Sequence, residues 1–272
     1  MSNISKTITE LNLEDDFLFA KVMSDQEICR KVLEKILGLP IKKVVIPSSQ
    51  RTIDILFEGK GIRLDIYVND ENGTAYNVEM QRGRKKELPK RSRYYAGSID
   101  LDLISSGESY TNLQKTYVIF ICTFDPFSKG RHMYTFENRC IQDFSLSLGD
   151  ETTKIFLNTK GNIDDVGDDM KEFLDYVENS TDSFAAQATS PLIKEIHKKV
   201  NEVKQSREME VEYMTLLQRD RENIEQGREE GARLAAKIIK LHSKGQPNCD
   251  IAMGLNIDLE YVQDIISNYE KE

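Results

Sequence analysis

Apolar side chains between residues 13 and 38 recur every three or four positions, which is the spacing of a helix face. Ser24 and the aspartate after it interrupt this pattern, and Gly38 ends it, so the sequence predicts two helices. The pattern then changes to an alternation of apolar and polar residues, which predicts strands joined by turns rich in glycine, asparagine and aspartate. The alternating segments are residues 53–57, 62–68 and 76–80.

The middle of the chain continues with one helix and one strongly apolar strand. A helix is predicted over residues 87–103, and the run TYVIFICTF follows at 116–124. A continuous apolar run that is rich in β-branched and aromatic residues is typical of a strand buried on both faces of a sheet. Shorter strands are predicted between 134 and 157, and helix again near 170–177. This order of elements predicts an α+β (mixed α/β) fold.

The composition changes near residue 185. We therefore predict a first domain of residues 1–185 and a charged helical extension of residues 186–272. The end of the extension, residues 250–266 after a glycine-containing turn, has a pattern compatible with a helix-turn-helix-like unit, although such helix pairs are also common without DNA. The alternative is that the helices bind a partner or a second copy of the chain, giving a homo-oligomer.

Composition and charge exclude several classes of protein. The net charge of −9 argues against a protein that coats nucleic acid through its overall field, so only a local basic patch could hold a phosphate backbone. Four scattered cysteines and three histidines give no pattern for structural zinc. No apolar run is long enough to span a bilayer, and the N-terminus lacks the pattern of a signal peptide, so we expect no membrane partner and a cytoplasmic location.

The second and third predicted strands carry acidic residues on one face. Side chains alternate between the two faces of a strand, so Asp65, Glu79 and Gln81 share the polar face while their neighbours form the apolar one. With a loop at 69–73, Asp65 lies opposite Asn77 and diagonal to Glu79, at a backbone separation of roughly 7–8 Å. The two carboxylates would then be close enough to bind one ion.

Two carboxylates at this separation repel each other, and a divalent cation would relieve the repulsion. Mg²⁺ binds one or two protein carboxylates together with waters and phosphate oxygens, so Asp65 and Glu79 are candidate Mg²⁺ ligands. The alternative is that this face is only the solvated side of an amphipathic hairpin, with Arg63 pairing Glu79.

A basic segment begins directly after Gln81. Residues 82–93 hold seven lysines and arginines and a single acid, and two tyrosines follow. A cluster of this kind on an acidic protein is typical of a surface that contacts a phosphate backbone. Its alternative is an ordinary solvated helix start. The candidate DNA-binding residues are Arg82, Arg84, Lys90, Arg91, Arg93 and Tyr94.

These residues form a pattern that resembles a known family. A strand aspartate followed by Glu-X-Gln on the next strand is similar to the PD-(D/E)XK nuclease motif. Nearly the whole chain resembles the Rpn family of recombination-promoting nucleases, also called PD-(D/E)XK nuclease family transposases. The resembling segments are DDFLFAKVM (15–23), RLDIYV (63–68), NVEMQ (77–81), LPKRSRYYAGSIDLDLISSGESY (88–110), YVIFICTFDPF (117–127), YTFENRC (134–140), KIFLNTKG (154–161) and EGARLAAKIIKLHSKG (230–245).

The resemblance implies a restriction-endonuclease-like core, Mg²⁺-dependent DNA cleavage in which Mn²⁺ can substitute, and a link to recombination or mobile elements. Asp65 and Glu79 would hold the metal, and Gln81 stands where the motif has lysine. The first helix of such nucleases often adds an acid; Asp16 matches that position best and Glu14 is second, although acids there also complement the helix dipole. Since glutamine can orient a water but brings no charge, the alternative is a catalytically inactive DNA-binding or scaffold protein with the same fold.

Overall fold

The structure is a computed structural model and describes residues 6–45, 52–53, 62–63 and 65–270. Its first helices are α1 (Asp16–Met23) and α2 (Gln26–Leu37). Asp15 caps α1 by accepting a hydrogen bond from the Phe17 N–H, and Asp25 caps α2 in the same way. Gly38 ends α2 in the left-handed conformation, with a φ of 66°. The predicted pair of helices is confirmed.

The strands of the described residues are β1 (Val44–Val45), β2 (Thr52–Ile53), β3 (Ile62–Arg63), β4 (Ile66–Asp70), β5 (Ala75–Gln81), β6 (Thr116–Cys122), β7 (Met133–Phe136) and β8 (Thr152–Asn158). Within these residues, six strands form one sheet in the order β1-β4-β5-β6-β8-β7, and β2 pairs with β3 separately. Strands β5, β6 and β8 are parallel to one another, whereas β4 and β7 run antiparallel to their neighbours. This mixed sheet with its flanking helices is the α+β fold that the sequence predicts.

The strand predicted over 62–68 is divided between the two sheets. Ile62 and Arg63 pair with β2, whereas β4, from Ile66 to Asp70, pairs with β5. Apart from Ile53, the strand predicted over 53–57 lies outside the described residues. Periodicity alone predicts one strand here because the alternation does not change where the chain leaves one sheet for the other.

The β4–β5 hairpin has a register two residues away from the predicted one. Val68 pairs with Tyr76, so it does not lie opposite Thr74. The difference arises at Asp70, whose carboxylate accepts hydrogen bonds from the N–H groups of Asn72 and Thr74 and so closes the turn later in the chain. A shift of two leaves every side chain on its own face, and the predicted separation of apolar and polar positions is kept.

Helix α3 (Leu88–Leu103) connects β5 to β6 and covers one face of the sheet. Its side chains Tyr95 and Ile99 belong to one buried cluster with Phe120 of β6 and Phe156 of β8. All seven residues of β6 are buried, as predicted for a strand covered on both faces. The polar positions of β5 lie on the same side of the sheet as this cluster, so α3 determines how much water reaches them.

The remaining helices are α4 (Asp168–Glu178), α5 (Asp182–Gln187), α6 (Pro191–Gln205), α7 (Arg207–His242), α8 (Asn248–Leu255) and α9 (Leu259–Tyr269). No helix of the described residues is both long and apolar enough to cross a membrane. The chain divides into two compact units, Met1–Glu210 and Val211–Glu272. Helix α6 belongs to the first unit because it buries Ile193, Ile196 and Val200 and packs against α1 and α2. The division therefore lies at residue 210, whereas the change in composition lies near 185.

The second unit has its own small core. Ile238 of α7, Ile251 of α8 and Val262 of α9 are all fully buried in it. Helices α8 and α9 are joined through Asn256 in the left-handed conformation, and a helix-turn-helix-like role for this part of the chain stays a prediction. Residues 248–270 contain three aspartates, two glutamates and no lysine or arginine. This charge disfavours the DNA-binding alternative for the pair, because a phosphate backbone would be repelled.

Candidate active site

The two candidate metal ligands meet at the end of the hairpin. The register of β4 and β5, continued by one residue, sets Asp65 directly opposite Glu79, whereas the predicted register set Asp65 opposite Asn77. The Asp65 N–H donates to Glu79 Oε1 at 3.1 Å, and the Met80 N–H donates to Asp65 Oδ2 at 3.2 Å. The observed pairing brings the two carboxyl groups closer than the diagonal arrangement would.

Glu79 is buried in spite of its place on the polar face of β5. Its exposed fraction is only 1%, because α3 covers this face of the sheet. Burial and the neighbouring charge of Asp65 raise the pKa of Glu79 to about 8, and the Asp65 N–H and Arg91 act in the opposite direction. A buried carboxyl group of this kind favours a cation beside it.

The alternative of a solvated hairpin face does not describe this arrangement, because Glu79 and Gln81 are both buried. The side chain of Arg63, which that alternative pairs with Glu79, lies outside the described part of the structure. Among the described side chains, Arg91 contacts Glu79.

Arg91, in the first turn of α3, binds both polar residues of the Glu-X-Gln element. Its Nη2 donates to Glu79 Oε2 at 3.0 Å, and its Nη1 donates to Gln81 Oε1 at 2.8 Å. Its Nε donates to the Tyr95 hydroxyl at 2.9 Å. Gln81 in turn donates from Nε2 to the Gly83 carbonyl at 2.8 Å. The guanidinium that the sequence assigns to a DNA phosphate is thus engaged inside the site.

Asn77 is a site residue to which the sequence analysis gives no role. It lies two positions before Glu79 on the same face of β5 and is fully buried. Neither polar atom of its carboxamide makes a hydrogen bond of good geometry among the described residues, but the side chain acts on Glu79 and lowers the pKa of that carboxyl group. Asn77 therefore belongs to the polar surroundings of Glu79 inside the fold. The signal in the sequence is that Asn77, like Glu79 and Gln81, has an odd number in NVEMQ and so lies on the polar face of the strand.

The acid of the first helix lies within the electrostatic reach of the hairpin. Asp16 is the first residue of α1 and keeps an exposed side chain. Loss of hydration, followed by the charges of Asp65 and Asp15, raises the pKa of Asp16 to about 6. Arg82 Nη1 contacts Asp15 Oδ2 at 3.2 Å and so ties the start of α1 to the end of β5. The second choice, Glu14, is held by its N–H to the Val177 carbonyl.

The basic segment is divided between structural and exposed side chains. Arg84 donates to the carbonyl oxygen of Asp125, which ties it to the loop after β6. Lys90 and Arg93 are exposed on α3, and Tyr94 beside them is 39% exposed. These exposed groups lie on the helix that carries Arg91, so the surface of α3 next to Glu79 is basic.

The sequence model of the family described as "PD-(D/E)XK nuclease family transposase" matches residues 14–227, which is well over half of the chain. The chain belongs to this family. Membership confirms the resemblance that the motifs indicate and assigns the protein to the PD-(D/E)XK nucleases. No curated protein and no solved structure matches the chain.

The donor set of this PD-(D/E)XK family member suits a hard cation that keeps part of its water shell. Among the described residues, no group of three or more His, Cys, Asp or Glu side chains could hold a metal ion. Asp65 and Glu79, which contact each other across the hairpin, offer two carboxylates, and Mg²⁺ takes one or two when waters and phosphate oxygens complete its shell.

The raised pKa of Glu79 predicts that a divalent cation stabilises this nuclease-family protein more at alkaline pH. The folded state retains a proton that the unfolded chain has already lost, so stability falls as pH rises from the ordinary pKa of glutamate towards 8. A cation binds the ionised form, and its apparent affinity should weaken by about tenfold per pH unit below that pKa. Asp65, Arg91 and Asn77 act on the same group and are included in this balance.

The measurement is the thermal midpoint with and without Mn²⁺ at about pH 6 and about pH 8.5, where we expect the larger increase at the higher pH. Glu79→Gln is the control, since it should remove most of the increase. An equal increase at both pH values in the wild-type protein would contradict the prediction.

Proposed function

We propose that this chain is a Mg²⁺-dependent endonuclease that hydrolyses phosphodiester bonds of DNA. The observation that carries the proposal is the pair Asp65–Glu79: two carboxyl groups on neighbouring strands, one of them buried with a raised pKa. Family membership and the basic surface of α3 support it. Mn²⁺ is the expected substitute for Mg²⁺.

In the proposed mechanism Asp65 and Glu79 would hold the ion, and Asp16 would add a further negative charge near Asp65. A bound Mg²⁺ would supply an activated water and would stabilise the oxygen that leaves the phosphorus. Gln81 keeps one amide hydrogen and one lone pair that neither Gly83 nor Arg91 uses, and with these it orients the attacking water. It brings no charge to the water, in contrast to the lysine of the motif.

Contact with the DNA backbone is assigned to the exposed part of the basic segment. Lys90, Arg93 and Tyr94 are exposed on α3, and Arg82 is about half exposed beside the start of α1. Arg84 contributes mainly to the structure of the loop that it contacts. Lysine and arginine side chains on such a surface bind phosphates without reading sequence, which suits a nuclease of low specificity.

We expect the double substitution Lys90→Gln/Arg93→Gln to weaken DNA binding and to reduce its dependence on salt. Each phosphate that a side chain no longer neutralises should lower the slope of log affinity against log salt by about 0.9, so the pair should lower it by about 1.8. The measurement is fluorescence anisotropy of a labelled duplex in EDTA, which prevents cleavage. Lys194→Gln/Lys198→Gln removes the same charge from exposed positions of α6 and should leave the slope unchanged. A slope equal to wild type in the α3 variant would contradict the assignment.

The proposal is tested with supercoiled plasmid incubated with purified protein in Mg²⁺, in Mn²⁺ and in EDTA. We expect nicked or linear product only with metal, and none from Asp65→Asn, which keeps the shape of the side chain and an acceptor for the Met80 N–H. Wild-type protein that binds DNA but leaves it intact in every metal would favour the catalytically inactive DNA-binding or scaffold protein instead.

Three further expectations stay predictions. The link to recombination or mobile elements rests on the family, and no residue of the site indicates strand transfer. The cytoplasmic location is an expectation from the sequence alone. Self-association through the C-terminal helices rests on their amphipathic pattern, and Val211, Met214 and Ile224 are exposed apolar residues of α7 that could support it.

A further inference from the structure

Arg91 is held in a pocket of polar and aromatic groups. Its guanidinium carbon lies 5.2 Å from the ring centre of Tyr95 and 5.2 Å from that of Phe120. Its three nitrogens donate to Tyr95, Gln81 and Glu79. The side chain is only 25% exposed, whereas the neighbouring Lys90 and Arg93 extend into solvent. Several side chains of this segment are cationic, but Arg91 is the one that the fold brings into the interior.

The helix itself does not explain this position. Arg91 lies in the first turn of α3, where the helix dipole disfavours a positive charge. Partial burial of a guanidinium is also unfavourable unless anions and acceptors surround it. The favourable contacts that compensate are those to Glu79 and Gln81, so the reason for the position lies in the Glu-X-Gln element.

Strand geometry explains why one guanidinium can serve both residues. Glu79 and Gln81 are two positions apart and project from the same face of β5, and α3 crosses that face. The planar fork of arginine presents two parallel N–H groups to two acceptors, which an ammonium cannot do. Arg91 thereby fixes the amide of Gln81 with its oxygen towards α3 and its nitrogen towards Gly83.

We infer that Arg91 is a positioning residue that supplies, from α3 and through Gln81, the fixed positive charge that a lysine at position 81 would supply from β5. The inference rests on the proposed nuclease function. It gives Gln81 a cationic partner and makes the Glu-X-Gln element and Arg91 one functional unit. It also separates Arg91 from Lys90 and Arg93, whose role is contact with the phosphate backbone.

The test moves the charge back to the strand. Arg91→Gln should reduce the single-turnover cleavage rate by about a hundredfold or more, because the oriented donor and its charge are both removed. Adding Gln81→Lys to the Arg91→Gln variant should raise its cleavage rate by at least about tenfold, since a lysine at position 81 reaches the same space. Arg228→Gln, an equal change of charge on the exposed surface of α7, should leave the rate at the wild-type value.

A second readout does not depend on activity. Mn²⁺ binding is measured by calorimetry without DNA. Arg91→Gln should bind Mn²⁺ about tenfold more tightly, because one cation close to Glu79 is gone, and Gln81→Lys/Arg91→Gln should return the affinity towards wild type. If the wild-type protein does not cleave DNA, the nuclease proposal fails. The Mn²⁺ titration still tests whether a lysine at position 81 can replace the positive charge of Arg91 beside Glu79.

Two results would overturn the inference. One is a double variant that neither regains cleavage nor changes Mn²⁺ affinity relative to Arg91→Gln. The other is an Arg91→Gln protein whose only change is a lower thermal midpoint, as expected of a residue with a purely structural role. If Arg91→Gln does not fold, Arg91→Lys replaces it in the test. A lysine keeps the charge but bridges only one acceptor, so we expect a cleavage rate between those of wild type and an inactive variant. A wild-type rate would contradict the role of the guanidinium fork.

Discussion

Replacing Glu79 with glutamine is expected to reduce metal-dependent cleavage of DNA by about a thousandfold or more, which corresponds to about 4 kcal/mol of transition-state stabilisation. The substitution keeps the size of the side chain and an oxygen that can accept the Asp65 N–H. It removes the charge that would bind the cation and that Arg91 contacts at 3.0 Å. The local fold should therefore persist while the cation site is abolished.

The measurement is the single-turnover rate on a linear duplex in saturating Mn²⁺, with circular dichroism to verify that the variant is folded. Glu260→Gln, at an exposed position of α9, removes the same charge away from the hairpin and should cleave as wild type does. A Glu79→Gln rate within tenfold of wild type would exclude Glu79 as an essential metal ligand.

Replacing Phe156 with alanine is expected to lower the free energy of unfolding by about 3–5 kcal/mol, which is the range for a large aromatic residue removed from a core. Phe156 is 2% exposed. Its ring stacks on Phe120 at 5.4 Å between centroids and meets Phe127 and Phe136 edge-on at 5.1 and 5.8 Å. The neighbouring rings cannot all close the cavity, since each is held by its own strand or loop.

Urea denaturation of the full chain measures this change. Phe144→Ala is the matched control, because Phe144 has the same side chain but is 73% exposed, and its removal should change stability by less than about 0.5 kcal/mol. Similar decreases in the two variants would mean that Phe156 does not belong to the cooperative core.

The sequence alone predicts the fold where a local rule determines the structure. Side-chain alternation assigns Asp65, Glu79 and Gln81 to one face whatever the exact register. Capping aspartates and Gly38 give the ends of α1 and α2. The apolar run of β6 gives a central strand, since only burial on both faces accounts for it.

Other features depend on contacts that periodicity does not contain. The hairpin register follows from the hydrogen bonds of Asp70, which move the centre of the turn by one residue and so shift the pairing by two. The burial of Glu79 follows from α3, a helix whose charged first turn is typical of a solvated surface. For the same reason Arg91 is predicted as a surface residue, although it binds Glu79 and Gln81 inside the site. Asn77 becomes notable only when its burial beside Glu79 is seen.

Strand β5 is hydrogen-bonded along both of its edges, to β4 on one side and to β6 on the other. Its backbone can open only if two ladders break, so Glu79 and Gln81 rest on one of the most rigid segments of the molecule. For the proposed DNA substrate, we expect adjustment to the shape of the duplex to occur in residues 82–87, an exposed connection without helix or strand between β5 and α3. In that arrangement the strand keeps Glu79 and Gln81 in place while the connection adapts to the substrate.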